Sequence, residues 1–175
     1  KSLYEYTKNI VNNRSSEELT FFINQNIGLN YLDRYSYQNN TYIKSNKEIR
    51  LNSIKYSNKD IDFIRETFRK IDNLIDLDFT EMSHDNGSII DIYYVSSSSL
   101  MTSNSIGMAL QQVSQNGSWW EIFWKDSKNS ESTSNADKNT IVHEIGHSLG
   151  LSHPFESPFN PLWDSDDTVM SYNEG

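Results

Sequence analysis

Apolar residues in this chain change their spacing several times, and each change marks an element. From Asp60 onward, Ile61, Ile64, Phe68, Ile71 and Ile75 recur at three-, four- and seven-residue steps. That period lays them along one face of a helix, with Ser57 or Asn58 as start signals and an end near Asn73. Alternation of apolar and polar positions takes over elsewhere and predicts five strands: residues 48–54, 75–79, 89–95, 107–113 and 119–124. The third of these is the most apolar. Asn116-Gly117 marks a tight turn between the fourth and fifth, so those two read as a hairpin. Near the start, Ser15 and Glu18 stand at capping-box spacing ahead of Leu19, Phe21, Phe22 and Ile23, which predicts a short helix. Residues 31–46 are rich in Tyr and Asn and show no period. Residues 96–105 and 125–134 are polar and loop-like, and there are no internal repeats.

A last amphipathic segment differs in what its polar face carries. Ile141, Val142, Ile145 and Leu149 fall on an arc of about 100° on a helical projection, while His143 and His147 fall nearly opposite. Asn135 and Asp137 are the N-cap candidates. One face is therefore core, and the other is free for chemistry.

That chemistry is legible in the spacing His143-Glu144-x-x-His147-x-x-Gly150-x-x-His153. Histidines four apart on a helix project toward one ion. Glu144, beside the first of them, is placed to act as a general base on water. His153 can join only if the chain turns, and Gly150 permits that turn by adopting the left-handed conformation that ends helices. Three protein ligands with a fourth position open is the arrangement of a catalytic zinc. Three of the chain's four histidines lie in this one motif.

The motif is followed by Val169-Met170-Ser171-Tyr172. Together the two resemble the metzincin signature of zinc proteases, and with Pro154 after the third histidine the chain looks most like the serralysin family of secreted bacterial proteases. The resemblance implies that His143, His147 and His153 bind one catalytic Zn2+, that Glu144 is the base, and that Met170 packs beneath the metal. It implies that Tyr172 is an additional ligand that swings out to stabilise the oxyanion. It also implies an α+β (mixed α/β) metzincin-like catalytic domain: a twisted five-stranded mixed sheet, two long helices, and a small C-terminal subdomain ending in the methionine turn. On this reading residues 107–113 form the sheet edge along the cleft, and Gly107, Met108, Ala109, Leu110 and Gln111 bind an extended substrate by backbone hydrogen bonds.

Composition narrows the partners. A formal charge of −9 and a pI near 4.8 argue against nucleic acid and anionic membrane surfaces. There is no cysteine, so neither disulfides nor thiolate zinc ligation is available. No apolar run reaches the length of about 18 residues needed to span a membrane, and no signal peptide is visible. Starting at Lys1, the chain looks processed or trimmed. It reads as one metalloprotease domain: residues 1–46 as an N-terminal segment without assigned role, about 47–153 as an upper subdomain, and 154–175 as a lower subdomain that looks truncated.

The expected activity is hydrolysis of internal peptide bonds in polypeptide substrates by a secreted, monomeric enzyme, with an inhibitor or pro-segment as a further partner. Calcium is in doubt, because the glycine-rich repeats that follow serralysin protease domains are absent. The acidic stretch 155–167, with Glu156, Asp164, Asp166 and Asp167, reads as solvated loop over Trp163, with a cation site as the alternative. Rival readings are a matrixin-like protease, which Tyr172 disfavours, a latent protease held by its own N-terminal segment, and a non-catalytic zinc-stabilised protein-binding module, in which Glu144 has no task.

Overall fold

The computed structural model describes residues 17–39, 41–125, 134–173 and 175, and their first element corrects a sequence expectation. Residues 18–23 form strand β1 (Glu18–Ile23), not a helix. Leu19, Phe21 and Ile23 are buried on one face at a two-residue period, and the backbone pairs on both sides with later strands. Ser15, half of the expected capping box, lies outside the described residues. A run as short as Leu19–Ile23 fits a helix or a strand, and long-range pairing decides between them.

The N-terminal region supplies two further pieces. Strand β2 (Gly28–Leu32) pairs antiparallel with β5 (Ile49–Ser53), and β3 (Tyr35–Gln38) forms a separate hairpin with β4 (Thr41–Lys44). Helix α1 (Asn58–Asp72) follows, capped by Ser57, whose side chain and that of Asp60 form a reciprocal capping box. The expected second strand lies slightly later, as β6 (Asp78–Met82), because residues 73–76 are spent on the turn that leaves the helix. Next come β7 (Ile90–Ser98), β8 (Gly107–Ser114), β9 (Gly117–Trp124) and helix α2 (Asn135–Ser148). Strand β7 runs through Ser96–Ser98, into the stretch read as serine-rich loop.

The mixed sheet and two helices are as expected, but the sheet has seven strands, not five, because β1 and β2 join it. Strand β7 is its axis. On one edge its Ile92 and Tyr94 carbonyls accept the N–H groups of Asn24 and Ile54, so β1 and then β5 share that side. On the other edge β9 runs parallel to it, and β8 pairs antiparallel with β9 in the expected hairpin. Among the described strands β8 pairs with nothing else, which leaves it as a sheet edge.

Alternation along β7 gives the sheet two faces. Ile90, Ile92 and Tyr94 pack with Phe21, Trp124, Ile122 and the helices. There α1 contributes Ile64 and Phe68, the latter stacked on Phe21 at 4.1 Å between ring centroids, and α2 contributes Ile141 and Ile145. Asp91, Tyr93 and Val95 look the other way, where Tyr93 and Val95 join Ile49, Leu51 and Phe123 in a smaller apolar cluster.

Candidate active site

Helix α2 presents the motif. Its N-cap is Ser134, one residue before the expected Asn135, and Asp137 serves as the third helical residue of a capping box instead of as the cap. The anchor fixes where α2 begins after a polar stretch, and its apolar face then packs on the sheet. Ile141 and Ile145 are fully buried there, and His143 and Glu144 are themselves buried at 5% and 4% exposure.

The three histidines converge. One ligand atom from each of His143, His147 and His153 lies within 4.8 Å of the others, and among the described residues no other His, Cys, Asp or Glu group does this. Two hydrogen bonds fix how the rings point. His143 Nδ1–H donates to the Val169 carbonyl at 2.7 Å, and His147 Nδ1–H donates to the Leu151 carbonyl at 2.8 Å. Each ring thus offers the lone pair of Nε2 inward, the tautomer that a metal requires. His143 Nε2 and His153 Nε2 face one another at 3.2 Å. Burial pushes the His143 imidazole down to about 4, and it lowers His153 as well, so both stay neutral and able to ligate. A three-imidazole donor set of this kind fits zinc.

Gly150 does what the spacing requires. Its φ is +93°, and the Gly150 and Leu151 amides bond back to the His147 and Gly146 carbonyls, ending the helix and reversing the chain toward His153. A 3₁₀ turn, Pro154–Glu156, follows at once.

Met170 lies 3% exposed beneath this cluster. A Cβ on Gly146 would come within 2.9 Å of the Met170 sulfur, so the bare helix backbone at Gly146 is what admits the methionine. The residue ahead of it, Val169, supplies the carbonyl that holds His143. Tyr172 stands with its ring 5.1 Å from those of His143 and His153, half exposed, and its phenol is raised by burial and by the Glu144 charge. The acidic stretch 155–167 turns on itself: Asp164 Oδ1 accepts the backbone N–H groups of Asp166 and Asp167.

Glu144 is held from the sheet edge. The Ala109 N–H donates to its carboxylate, while burial pushes that carboxylate up to about 7. Gly107 lies directly against it: a Cβ there would collide with Glu144 Oε1 and stand 2.6 Å from Thr140 Cγ2. The spacing of the motif did not reveal either contact. The only sequence signal was a glycine opening an otherwise regular strand. Met108 packs toward the smaller apolar cluster with Leu110, and Ala109 toward the larger, so the side chains of β8 divide between the two faces while its backbone fronts Glu144.

A mixed sheet backed by two helices, three histidines converging from a helix and the chain beyond its glycine turn, and a methionine beneath them define a metzincin-type zinc metallopeptidase. The family model described as Metallo-peptidase family M12B Reprolysin-like matches residues 29–154, most of the chain, and the chain belongs to that family. The match takes in all three histidines and Glu144 and ends before the methionine turn, so it gives no support to a serralysin assignment. No curated protein matches the chain. No helix among the described residues is long and apolar enough to cross a membrane.

Proposed function

We propose that the chain is a zinc-dependent endopeptidase that hydrolyses internal peptide bonds, with one zinc ion held by His143, His147 and His153. The observation that carries this reading is the pairing of three inward-pointing imidazoles with a buried carboxylate fixed on the sheet edge. A metal site with a purely structural task has no use for Glu144 in that position. The chemistry that zinc supplies when bound is Lewis acidity, which polarises a carbonyl and lowers the pKa of a water.

The chain's own groups do the rest. Glu144 takes a proton from the attacking water on a carboxylate oxygen and delivers it to the departing amine nitrogen. The Tyr172 hydroxyl donates to the substrate oxygen as it gains negative charge, the role that the serralysin-like Val169–Tyr172 sequence suggests. Along β8, the N–H and C=O groups of Gly107 and Gln111 point to the same unpaired edge as those of Ala109. Apart from the pairing with β9, no hydrogen bond to them is seen among the described residues, which suits them to bind an extended polypeptide as one further strand, with Met108 and Leu110 setting the spacing. Gly150 and Met170 position the ligands without touching substrate.

The test measures zinc content and cleavage of a labelled protein substrate for wild type and Glu144→Gln together. Zinc in both, with chelator-sensitive cleavage in wild type alone, is the expected result. Equal cleavage in the variant removes Glu144 from the mechanism, and zinc in both with cleavage in neither replaces the enzyme by a latent form or a binding module.

A further inference from the structure

The face of the sheet turned away from the helices carries a second, unrelated concentration of polar groups. Strands β7 and β9 are parallel neighbours in register, with Asp91 beside Glu121. Both side chains are almost fully buried, at 3% and 4% exposure. Both line a cavity of about 1070 Å³ roofed by the corner between β2 and β3. Gln112 fixes that corner, its side chain donating to the Asp33 carbonyl at 2.6 Å and accepting from the Tyr35 N–H at 3.0 Å.

The partners of the two acids are unequal. Ser88 donates its hydroxyl to Asp91. Trp119 Nε1 donates to Glu121 Oε1 at 2.8 Å, and the Tyr93 hydroxyl and the Gln112 side chain also donate toward that carboxylate, which leaves Oε2 without a hydrogen bond of ordinary geometry among the described residues. A buried carboxylate oxygen without a well-aligned donor is costly. No lysine, arginine or histidine is among the described residues lining the cavity. Lys44 is engaged with Asp33 at 2.7 Å, and Arg34 of the roofing corner is not among the lining residues. What the cavity does have is aromatic surface: Tyr35 stands edge-on to Trp119 at 5.4 Å, and Tyr93 stands beside Glu121.

We propose that this cavity binds an organic cation, a guanidinium or alkylammonium group such as an arginine side chain of a bound polypeptide, with Glu121 and Asp91 as its counter-charges and Trp119 and Tyr35 as its aromatic walls. A planar guanidinium matches both needs, since it bonds carboxylates in pairs and stacks on aromatic faces. A compact divalent ion is less suited, because the acids of this cavity do not bring three ligand atoms into one small cluster.

The electrostatics agree. Burial and the Glu121 charge push Asp91 up to about 8, and burial pushes Glu121 up to about 7. Asp85 adds to both, and Tyr93 is raised by the same burial and acids. The pair therefore keeps a proton near neutrality when it stands alone. An entering cation favours the fully ionised pair, so binding releases protons and strengthens as pH rises.

Calorimetric titration of the full chain with butylguanidinium, its neutral isostere butylurea, a blocked Gly-Arg-Gly peptide and calcium chloride tests this. The expected result is saturable binding of butylguanidinium and of the peptide, none of butylurea, and affinity several-fold higher at pH 8 than at pH 6. Glu121→Gln and Asp91→Asn, each isosteric and remote from the histidines, are expected to weaken it at least tenfold. Binding of the small cation without the peptide still supports the site and limits it to free amines. Absence of saturable binding to wild type overturns the proposal, as does equal affinity in folded variants or binding of calcium in place of the organic cations. The readout is binding, so it stands apart from peptidase activity.

Discussion

Gly107→Ala isolates how the sheet edge holds Glu144, the proposed base. The backbone of Gly107 lies outside the left-handed region, so alanine adds only one methyl group and no torsional strain. That methyl would stand 2.6 Å from Thr140 Cγ2 and 3.0 Å from Glu144 Cγ. Carbon pairs rest at about 3.5–4.0 Å, so the shortfall against Thr140 alone is about 0.9 Å. Glu144 Oε1 lies nearer still, and the carboxylate is the mobile partner. It must swing away from the Ala109 N–H and off its present line. Misplacement of a catalytic group by about 1 Å costs on the order of 10²-fold in rate, whereas overpacking costs about 1–3 kcal/mol in stability. The expected variant is folded, binds zinc as wild type does because no histidine is touched, and loses kcat by about two orders of magnitude. Steady-state cleavage of a quenched fluorescent substrate, with metal content and urea unfolding on the same preparations, measures all three. A folded, zinc-loaded Gly107→Ala with kcat within about twofold of wild type would refute the claim that this contact sets the position of Glu144.

Three further outcomes follow from the same geometry. Tyr172→Phe keeps its ring against His143 and His153 but loses the donor, so kcat falls by up to about 10²-fold, less than for Glu144→Gln, with KM little changed; an unchanged kcat makes Tyr172 a bystander. Ser134→Ala removes the cap of α2 and lowers stability by about 1 kcal/mol in urea unfolding; no change there means the capping box carries no net energy. The Asp91–Glu121 pair holds folded-state values near 8 and 7 against about 4 in the unfolded chain. Its contribution is complete below about pH 4 and is lost as pH rises through 7 to 8. The stability of wild type relative to Glu121→Gln therefore falls between pH 5 and pH 8, and a pH-independent difference contradicts the burial of the pair.

Period and spacing made the site more legible than the frame around it. His143, His147 and His153 declare themselves because a metal imposes fixed intervals on a helix and its exit, and the glycine at 150 is forced by the same geometry. Helix α1 and the β8–β9 hairpin were readable for a similar reason, since their signals are local. Strand β1 was misread because Leu19 to Ile23 carries no local signal that outweighs its pairing with β6 and β7, some 60 to 70 residues away. The same blindness hid Gly107 beside Glu144, Gly146 beneath Met170, and the Asp91–Glu121 pair. Each depends on which residues meet across the sheet or the cleft, and no interval along the chain records that.

The hydrogen bond from His143 to the Val169 carbonyl, with the Ala109 N–H on Glu144, has a consequence in time. Strand β1 pairs with β6 and β7, some 60 to 70 residues later, and α2 packs on β8 and β9. The His143 imidazole takes its aim from a carbonyl a further 26 residues along the chain. Long-range pairing of this kind forms slowly. The aim of the first histidine is consequently a property of the whole C-terminal third of the chain, and no fragment ending at the motif itself would carry it.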